Sequence, residues 1–279
     1  MKREWAMQGA SLLTNIEKTA VDKSCLAFWY IGQCGYIYKG DVTIYIDPVL
    51  NDLTGPDGIT RKNYQAPFEP EEVNADYILC THGHADHLAM PTIKKIADAN
   101  PDTRFIVPGG CHKILTEAGI EDARIIDAKA KERISLPGLE IFPVQAAHPV
   151  HEVDENGADL ALCYQITMGE VTFLHMGDTY LTDQLMDDLE KLPSSDLFFA
   201  PINGGDYFRT RRDCIGNLSA IETATLASML KPDLTVPMHF DMMQGNTVNP
   251  LHFVEMLWEL IPAAKFHIPA LGERFIYHK

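Results

Sequence analysis

Thr81-His82-Gly83-His84-Ala85-Asp86-His87 places three imidazoles and a carboxylate within six consecutive residues. Imidazole nitrogen and carboxylate oxygen are the donors that zinc and neighbouring divalent metals take. The run follows the apolar segment Tyr77-Ile78-Leu79-Cys80 and therefore reads as a loop at the carboxyl end of a strand. Such a loop turns alternate residues toward two adjacent points. His82 and His84 can share one cation, and Asp86 and His87 can serve a second. A polar loop with histidines by chance is the competing explanation. It is a poor one when only 11 histidines are spread over 279 residues.

Three further residues of ligand type each stand just past an apolar strand. They are His148 in Gln145-Ala146-Ala147-His148-Pro149, Asp178 in His175-Met176-Gly177-Asp178-Thr179, and His239 in Pro237-Met238-His239-Phe240-Asp241. Alone, each is as well explained by a hydrogen-bonded structural side chain. Together they complete a two-metal centre with a third neutral ligand, a bridging carboxylate and a last histidine. Two adjacent cations would lower the pKa of a shared water toward ~7 and hold the charge that develops on the oxygen under attack. No serine or cysteine nucleophile is required.

The series H-x-H-x-D-H, a later His, a Gly-Asp after a strand and a late His resembles the ligand series of the metallo-β-lactamase superfamily. Within it the chain resembles the L-ascorbate-6-phosphate lactonase (UlaG-type) branch. That likeness is carried by residues 28–35 (FWYIGQCG), Asp47-Pro48, residues 175–180 (HMGDTY), Pro201-Ile202-Asn203-Gly204, Gly216-Asn217-Leu218-Ser219 and Met238-His239-Phe240-Asp241. The resemblance implies an α/β fold, a four-layer αββα sandwich. It also implies a ligand set: His82, His84 and His148 on one ion, Asp86, His87 and His239 on the other, and Asp178 between them. Asp86 and His87 are the expected catalytic pair. Asp47 would orient a ligand histidine, although a simple strand-end turn explains it equally well. The lactonase branch is associated with manganese and the superfamily mostly with zinc, so the implied cofactor is two divalent ions, Mn or Zn. The resemblance also suggests a homo-oligomer. This chain is shorter than those lactonases after its first strands, where a loop shapes the pocket.

Positioning such a site requires strands that end on one edge. Residues 1–25 read as an N-terminal arm with an amphipathic stretch from Ser11 to Lys18, and residues 26–279 as a single domain of two similar halves. Strand-length apolar runs occur at Leu26–Ile31, Tyr36–Lys39 and Val42–Ile46, broken by Gly32, Gly35 and Gly40-Asp41. Residues 51–70 have loop composition, and a loop of that length predicts a pocket wall or lid. Next come a strand at Tyr77–Cys80, a helix at Pro91–Asn100, a strand at Arg104–Val107 and a helix at His112–Ala118, the alternation of parallel β-α units. The second half predicts strands at Leu139–Val144, Leu160–Thr167, Val171–Leu174, Asp196–Ala200, Leu234–Val236 and Lys265–Ile268. It predicts helices at Asp183–Lys191, Leu218–Leu230 and Pro250–Leu260, with a final strand closing the chain.

A net charge of −16 counts against a nucleic-acid partner, which needs clustered Lys and Arg. It does not count against a small anionic substrate, because bound cations reverse the local field. The densest basic cluster, Arg209, Arg211 and Arg212, lies between Asn203 and Ser219. Tyr207, Arg209, Arg212 and Asn217 are therefore candidate substrate contacts, against the alternative of a solvated loop. Three activities stay open: a lactonase on a phosphorylated or acidic sugar lactone, a phosphodiesterase or nuclease, and a non-catalytic metal-binding relative. A redox di-iron role is disfavoured because His84 stands where such relatives carry glutamate. Six cysteines without C-x-x-C spacing predict reduced, mostly buried thiols. With no apolar h-region after Met1-Lys2-Arg3-Glu4 and no ~20-residue apolar span, a cytoplasmic protein without membrane contact is expected.

Overall fold

The computed structural model describes residues 3–55, 57–212 and 214–279. Among these residues thirteen strands form two mixed sheets. In chain order the first holds β1 (Cys25–Gly32), β2 (Gly35–Lys39), β3 (Thr43–Ile46), β4 (Tyr77–Leu79), β5 (Arg104–Pro108) and β6 (Ile125–Ala128). The second holds β7 (Ile134–Leu136), β8 (Leu139–Gln145), β9 (Leu162–Met168), β10 (Val171–His175), β11 (Leu197–Pro201) and β12 (Leu234–Met238), and β13 (Arg274–His278) returns to the first. The spatial orders are β13-β1-β2-β3-β4-β5-β6 and β12-β11-β10-β9-β8-β7.

Alternation along the strands divides the core in two, since successive side chains point to opposite faces. In β1, Leu26, Phe28 and Tyr30 face the second sheet, while Ala27, Trp29 and Ile31 face outward. The outward face is covered by α1 (Gly9–Lys18), α2 (Met90–Ala99) and α3 (His112–Glu117), which bury Leu12, Ile16, Ile93, Ile96 and Leu115. The second sheet is covered by α4 (Asp183–Glu190), α6 (Ala220–Leu230) and α7 (Leu251–Leu260); the short α5 (Tyr207–Thr210) lies between α4 and α6 in the chain. The result is the four-layer αββα sandwich. Residues 3–18 are tied to it: Arg3 pairs with buried Asp241, and Asp241 also accepts from the hydroxyls of Tyr30 (2.6 Å) and Tyr64 (2.7 Å).

Most elements fall where composition placed them, with three differences. Lys265–Ile268 forms no strand; it makes one bridge, Phe266 against Thr235, and Pro269, which lacks an N–H, follows at once. Strands β6 and β7 were not anticipated. Each is short, each is half-exposed and each lies on a sheet edge, so neither carries a full apolar signature. Helix α6 starts at Ala220 because the Ser219 hydroxyl accepts from Glu222 N–H and the Glu222 carboxylate returns to Ser219, a capping box. Among the described residues no helix is long and apolar enough to cross a membrane. All six cysteines are free, five of them buried.

Strand direction determines what gathers at one edge. β3 and β4 run parallel, as do β10, β11 and β12. β8 and β10 both run antiparallel to β9 and so share a direction. The loops leaving β3, β4, β8, β10 and β12 therefore meet. Phe199 sits at the middle of the inter-sheet core, with Phe28, Tyr36 and Tyr38 rings 5.0 to 5.1 Å away. Replacing Phe199 by alanine should cost about 3–5 kcal/mol through lost burial and the cavity left behind. Urea unfolding followed by tryptophan fluorescence measures this.

Candidate metal centre

All seven residues expected to bind metal converge at that edge. The heptad loop leaves β4 and is stitched to the second sheet by Leu162 N–H to Thr81 O (2.9 Å), with Tyr164 Oη donating to Cys80 O nearby (2.8 Å). The turn at Gly177 (φ +58°) packs directly on Thr81, where an added Cβ would lie 2.7 Å from the Thr81 side chain. Only glycine permits that approach, which brings Asp178 up to the heptad loop.

Two groups of ligand atoms result, in each of which all atoms lie within 4.8 Å of one another: His82, His84 and His148, and Asp86, His87 and His239. In the first, His84 Nδ1 faces His82 Nε2 at 2.9 Å and His148 Nε2 at 3.2 Å. Asp178 Oδ2 stands between the groups, 3.3 Å from His87 Nε2, 3.2 Å from His239 Nε2 and 3.8 Å from His148 Nε2. Asp47, fully buried in a left-handed conformation (φ 47°), holds the centre from below. One carboxylate oxygen accepts Thr81 N–H (2.8 Å); the other accepts Thr81 Oγ1–H and His87 Nδ1–H, both at 2.7 Å.

These contacts test whether the side chains fit a cation. With its Nδ1–H committed to Asp47, neutral His87 turns an Nε2 lone pair on the Asp178 carboxylate. His87 Nε2 is buried without a hydrogen-bond partner. Lone pair against carboxylate is repulsive unless a proton or a cation lies between them. The electrostatics agree. Burial opposes charge on His87, yet the carboxylates of Asp178, Asp47 and Asp86 outweigh it and raise its pKa well above the usual value. His239 is raised against its burial mainly by Asp178, and Asp178 itself is held well below the usual carboxylate range by His239 and His87 despite burial. Burial lowers His148 to about 4 and depresses His82 well below the usual value, so these two present neutral imidazoles. The donor set and its polarity fit divalent metal at both groups.

Two nearby residues were not singled out from sequence. Gln33, buried with φ 60°, places its amide nitrogen 2.6 Å from Asp86 Oδ2 and 2.8 Å from His239 Nε2. Cys34 Sγ lies 3.4 Å from Asp178 Oδ1 and forms a third compact group with His87 and Asp178. Both follow the strand β1, and the turn residues around them, Gly32 and Gly35, were the available signal. His175 stays outside the groups, bonded through Nδ1 to Tyr38 Oη (2.9 Å).

The groups open into a cavity of about 680 Å³ whose wall includes Asn51, Thr54, Arg61, His84, Asp86, Arg212, Ile215 and Asn246. Of the four expected substrate contacts the structure brings Arg212 to this wall. Arg209 is spent on Asp206 (2.5 Å), Asn203 O (2.9 Å) and Asn246 Oδ1 (2.6 Å), and so braces Asn246. Tyr207 is 71% exposed, and the buried Asn217 amide bonds Asn203. The 51–70 loop does form a wall, as expected. Buried Lys62 pins it by donating to Val49 O (3.0 Å) and Asn51 O (2.9 Å). Arg61 was missed because it is an isolated arginine in a loop of ordinary polarity.

Two outcomes follow from this geometry. Asp47→Asn should weaken divalent metal binding about 10–100-fold, the usual cost of disturbing a partner of a ligand histidine; titration calorimetry with Zn²⁺ measures it. Burial resists charge on His87 and His239, yet the neighbouring carboxylates, led by Asp178, raise both pKa values, so a cation that takes their lone pairs competes with protons. Metal uptake should therefore release protons, and affinity should fall as the pH falls. Calorimetry in two buffers of different ionisation enthalpy detects the release.

The family model described as Beta-lactamase superfamily domain matches residues 42–240, from β3 through the turn that carries His239. A UPF0173 metal-dependent hydrolase of Archaeoglobus fulgidus is 29% identical over 218 residues, 76% of this chain and 82% of that protein. One from Staphylococcus saprophyticus is 29% identical over 212 residues, 73% of this chain and 84% of its own length. Among solved structures, Igni18, a metallo hydrolase from Ignicoccus hospitalis, superposes with a TM-score of 0.67 at 21% identity, covering 91% of this chain and 99% of that one. The metallo-beta-lactamase fold protein YhfI from Bacillus subtilis gives 0.64 at 13% identity, covering 91% and 99%. These two likenesses share the sandwich, and the matched stretch carries six of the seven converging side chains together with His239 at its end; the chain belongs to the beta-lactamase superfamily.

Proposed function

We propose that this chain is a metal-dependent hydrolase of small anionic substrates, with a lactone or ester of a phosphorylated or acidic sugar, such as L-ascorbate 6-phosphate, as the favoured class. The observation that carries the reading is the convergence of His82, His84, His148, Asp86, His87, His239 and Asp178, of which His84, Asp86, His148, Asp178 and His239 line one cavity. Relatives that span most of this chain are named metal-dependent hydrolases, which supports the same reaction type. Divalent ions there, manganese or zinc, supply a Lewis acid and acidify water.

The protein's own groups supply the rest. His82, His84 and His148 would offer imidazole nitrogens to one ion, and Asp86, His87 and His239 a more anionic set to the other, with Asp178 between the two groups. Asp47 holds the His87 ring so that its Nε2 faces inward. Asp86 is a quarter exposed toward the cavity and is the carboxylate best placed to take up a proton from substrate or solvent. Arg61 and Arg212 bring guanidinium groups to the cavity from two different segments of its wall and suit a phosphate or carboxylate, Arg61 being steadied by Asp57 at 2.7 Å. A net charge of −16 favours this small anion over a nucleic acid, for which the same centre would need a basic platform.

The test is protein stripped by chelator and reloaded with Mn²⁺ or Zn²⁺, assayed on a lactone panel and on a chromogenic phosphodiester. Turnover of lactones alone supports the reading. Turnover of the phosphodiester alone replaces the substrate class, and absence of metal binding by the intact protein overturns the hydrolase itself. Arg61→Ala and Arg212→Ala should each raise KM for the anionic substrate about tenfold or more while leaving kcat nearly unchanged, because a charge-assisted hydrogen bond contributes roughly 1.5–3 kcal/mol. Unchanged KM in both variants removes the arginines from recognition.

A further inference from the structure

Gln33 is the polar side chain of the site whose contacts make least sense as they stand. It is 1% exposed, in a left-handed turn (φ 60°), and its backbone oxygen accepts His239 N–H at 2.9 Å, where His239 is itself left-handed (φ 55°). The amide nitrogen, not the oxygen, must face Asp86, because a carboxylate can only accept. That nitrogen lies 2.6 Å from Asp86 Oδ2 and 2.8 Å from His239 Nε2, two of the three ligand atoms of the second group. An N–H pair is thus directed at the atoms that a cation would take. His239 Nε2 is caught between opposite demands. Toward Gln33 it must show a lone pair, while toward Asp178 Oδ2, at 3.2 Å, it should show a proton. His87 Nε2, unpartnered in the same group, turns its lone pair on Asp178 Oδ2 at 3.3 Å because its Nδ1–H is held by Asp47.

A cation among these atoms removes the conflicts at Asp178, and it asks for one rearrangement at Gln33. Turning the terminal amide about its last torsion exchanges the nitrogen for the oxygen, a rotation of low cost for a planar group with a broad, two-fold profile. The oxygen then faces whatever positive charge sits among Asp86, His87 and His239. We propose that Gln33 is a further residue of the second metal site, donating its carbonyl oxygen toward the bound ion and, without the ion, holding Asp86 and His239 in place through its N–H groups. Gln33 is a placeholder in one state and a ligand in the other. The inference rests on the two-metal reading above, and its test separates the two.

Mn²⁺ alone is titrated into chelator-stripped full-length protein, with free Mn²⁺ followed by electron paramagnetic resonance and thermal melts recorded in parallel. Gln33→Asn suits the left-handed turn, since asparagine is enriched there, but its amide is one carbon too short to reach. The expected result is an unchanged first binding step and a second step weakened about tenfold or more. Gln33→Glu restores an oxygen at full reach; it should retain the second step, and its Tm should fall below wild type in stripped protein and recover when Mn²⁺ is added. A second step in Gln33→Asn as tight as wild type overturns the proposal, as does loss of that step in Gln33→Glu. Should wild-type protein bind fewer than two Mn²⁺, the two-metal reading fails and takes this inference with it.

Discussion

Buried negative charge that must be answered governs this molecule. Asp47 and Asp178 are almost wholly enclosed and Asp86 is partly so, while three imidazoles from the heptad loop and two more from the second sheet crowd around them. An uncompensated buried ion costs several kcal/mol, so the local backbone is bent to supply partners. Asp47 takes three hydrogen bonds by adopting a left-handed turn immediately after β3, and its neighbours Gln33 and His239 accept the same uncommon geometry. Strained or unusual backbone at such positions is sustained by the two rigid sheets beneath them.

The sandwich exists to present loops, and its own stability is supplied elsewhere. The aromatic layer around Phe199 and the outward cluster under α1, α2 and α3 bury apolar surface away from the centre. This separation lets the edge carry groups that a core would reject. In a chain of net charge −16, Arg61 and Arg212 are the arginines that the cavity wall retains.

The converging histidine and aspartate series was legible in the residues themselves because its members are chemically distinctive and sit at the ends of strands whose apolar runs are equally plain. The alternation of strands and helices followed from the same runs, whereas the four-layer sandwich came from the family likeness. What escaped was either short or ordinary. β6 and β7 are edge strands of three or four residues with mixed faces, and Phe266 needs only one bridge to be anchored, so periodicity misjudged all three. Gln33 and Arg61 are common residue types whose roles come from long-range neighbours, His239 and Asp86 in one case and the cavity wall in the other. The arginine cluster misled for the opposite reason. Density in sequence says nothing of direction, and Arg209 turned inward to brace Asn246.

The heptad loop belongs to the first sheet, whereas His148, Asp178 and His239 leave the second. Neither half owns a complete donor set. Any ion seated there acts as a rivet through the seam, and by mass action its binding energy is also docking energy between the halves. Catalytic competence and the integrity of the sandwich are then one quantity seen from two sides: a disturbance that lets the sheets part by a fraction of an ångström at this rim disarms the chemistry long before it unfolds the chain.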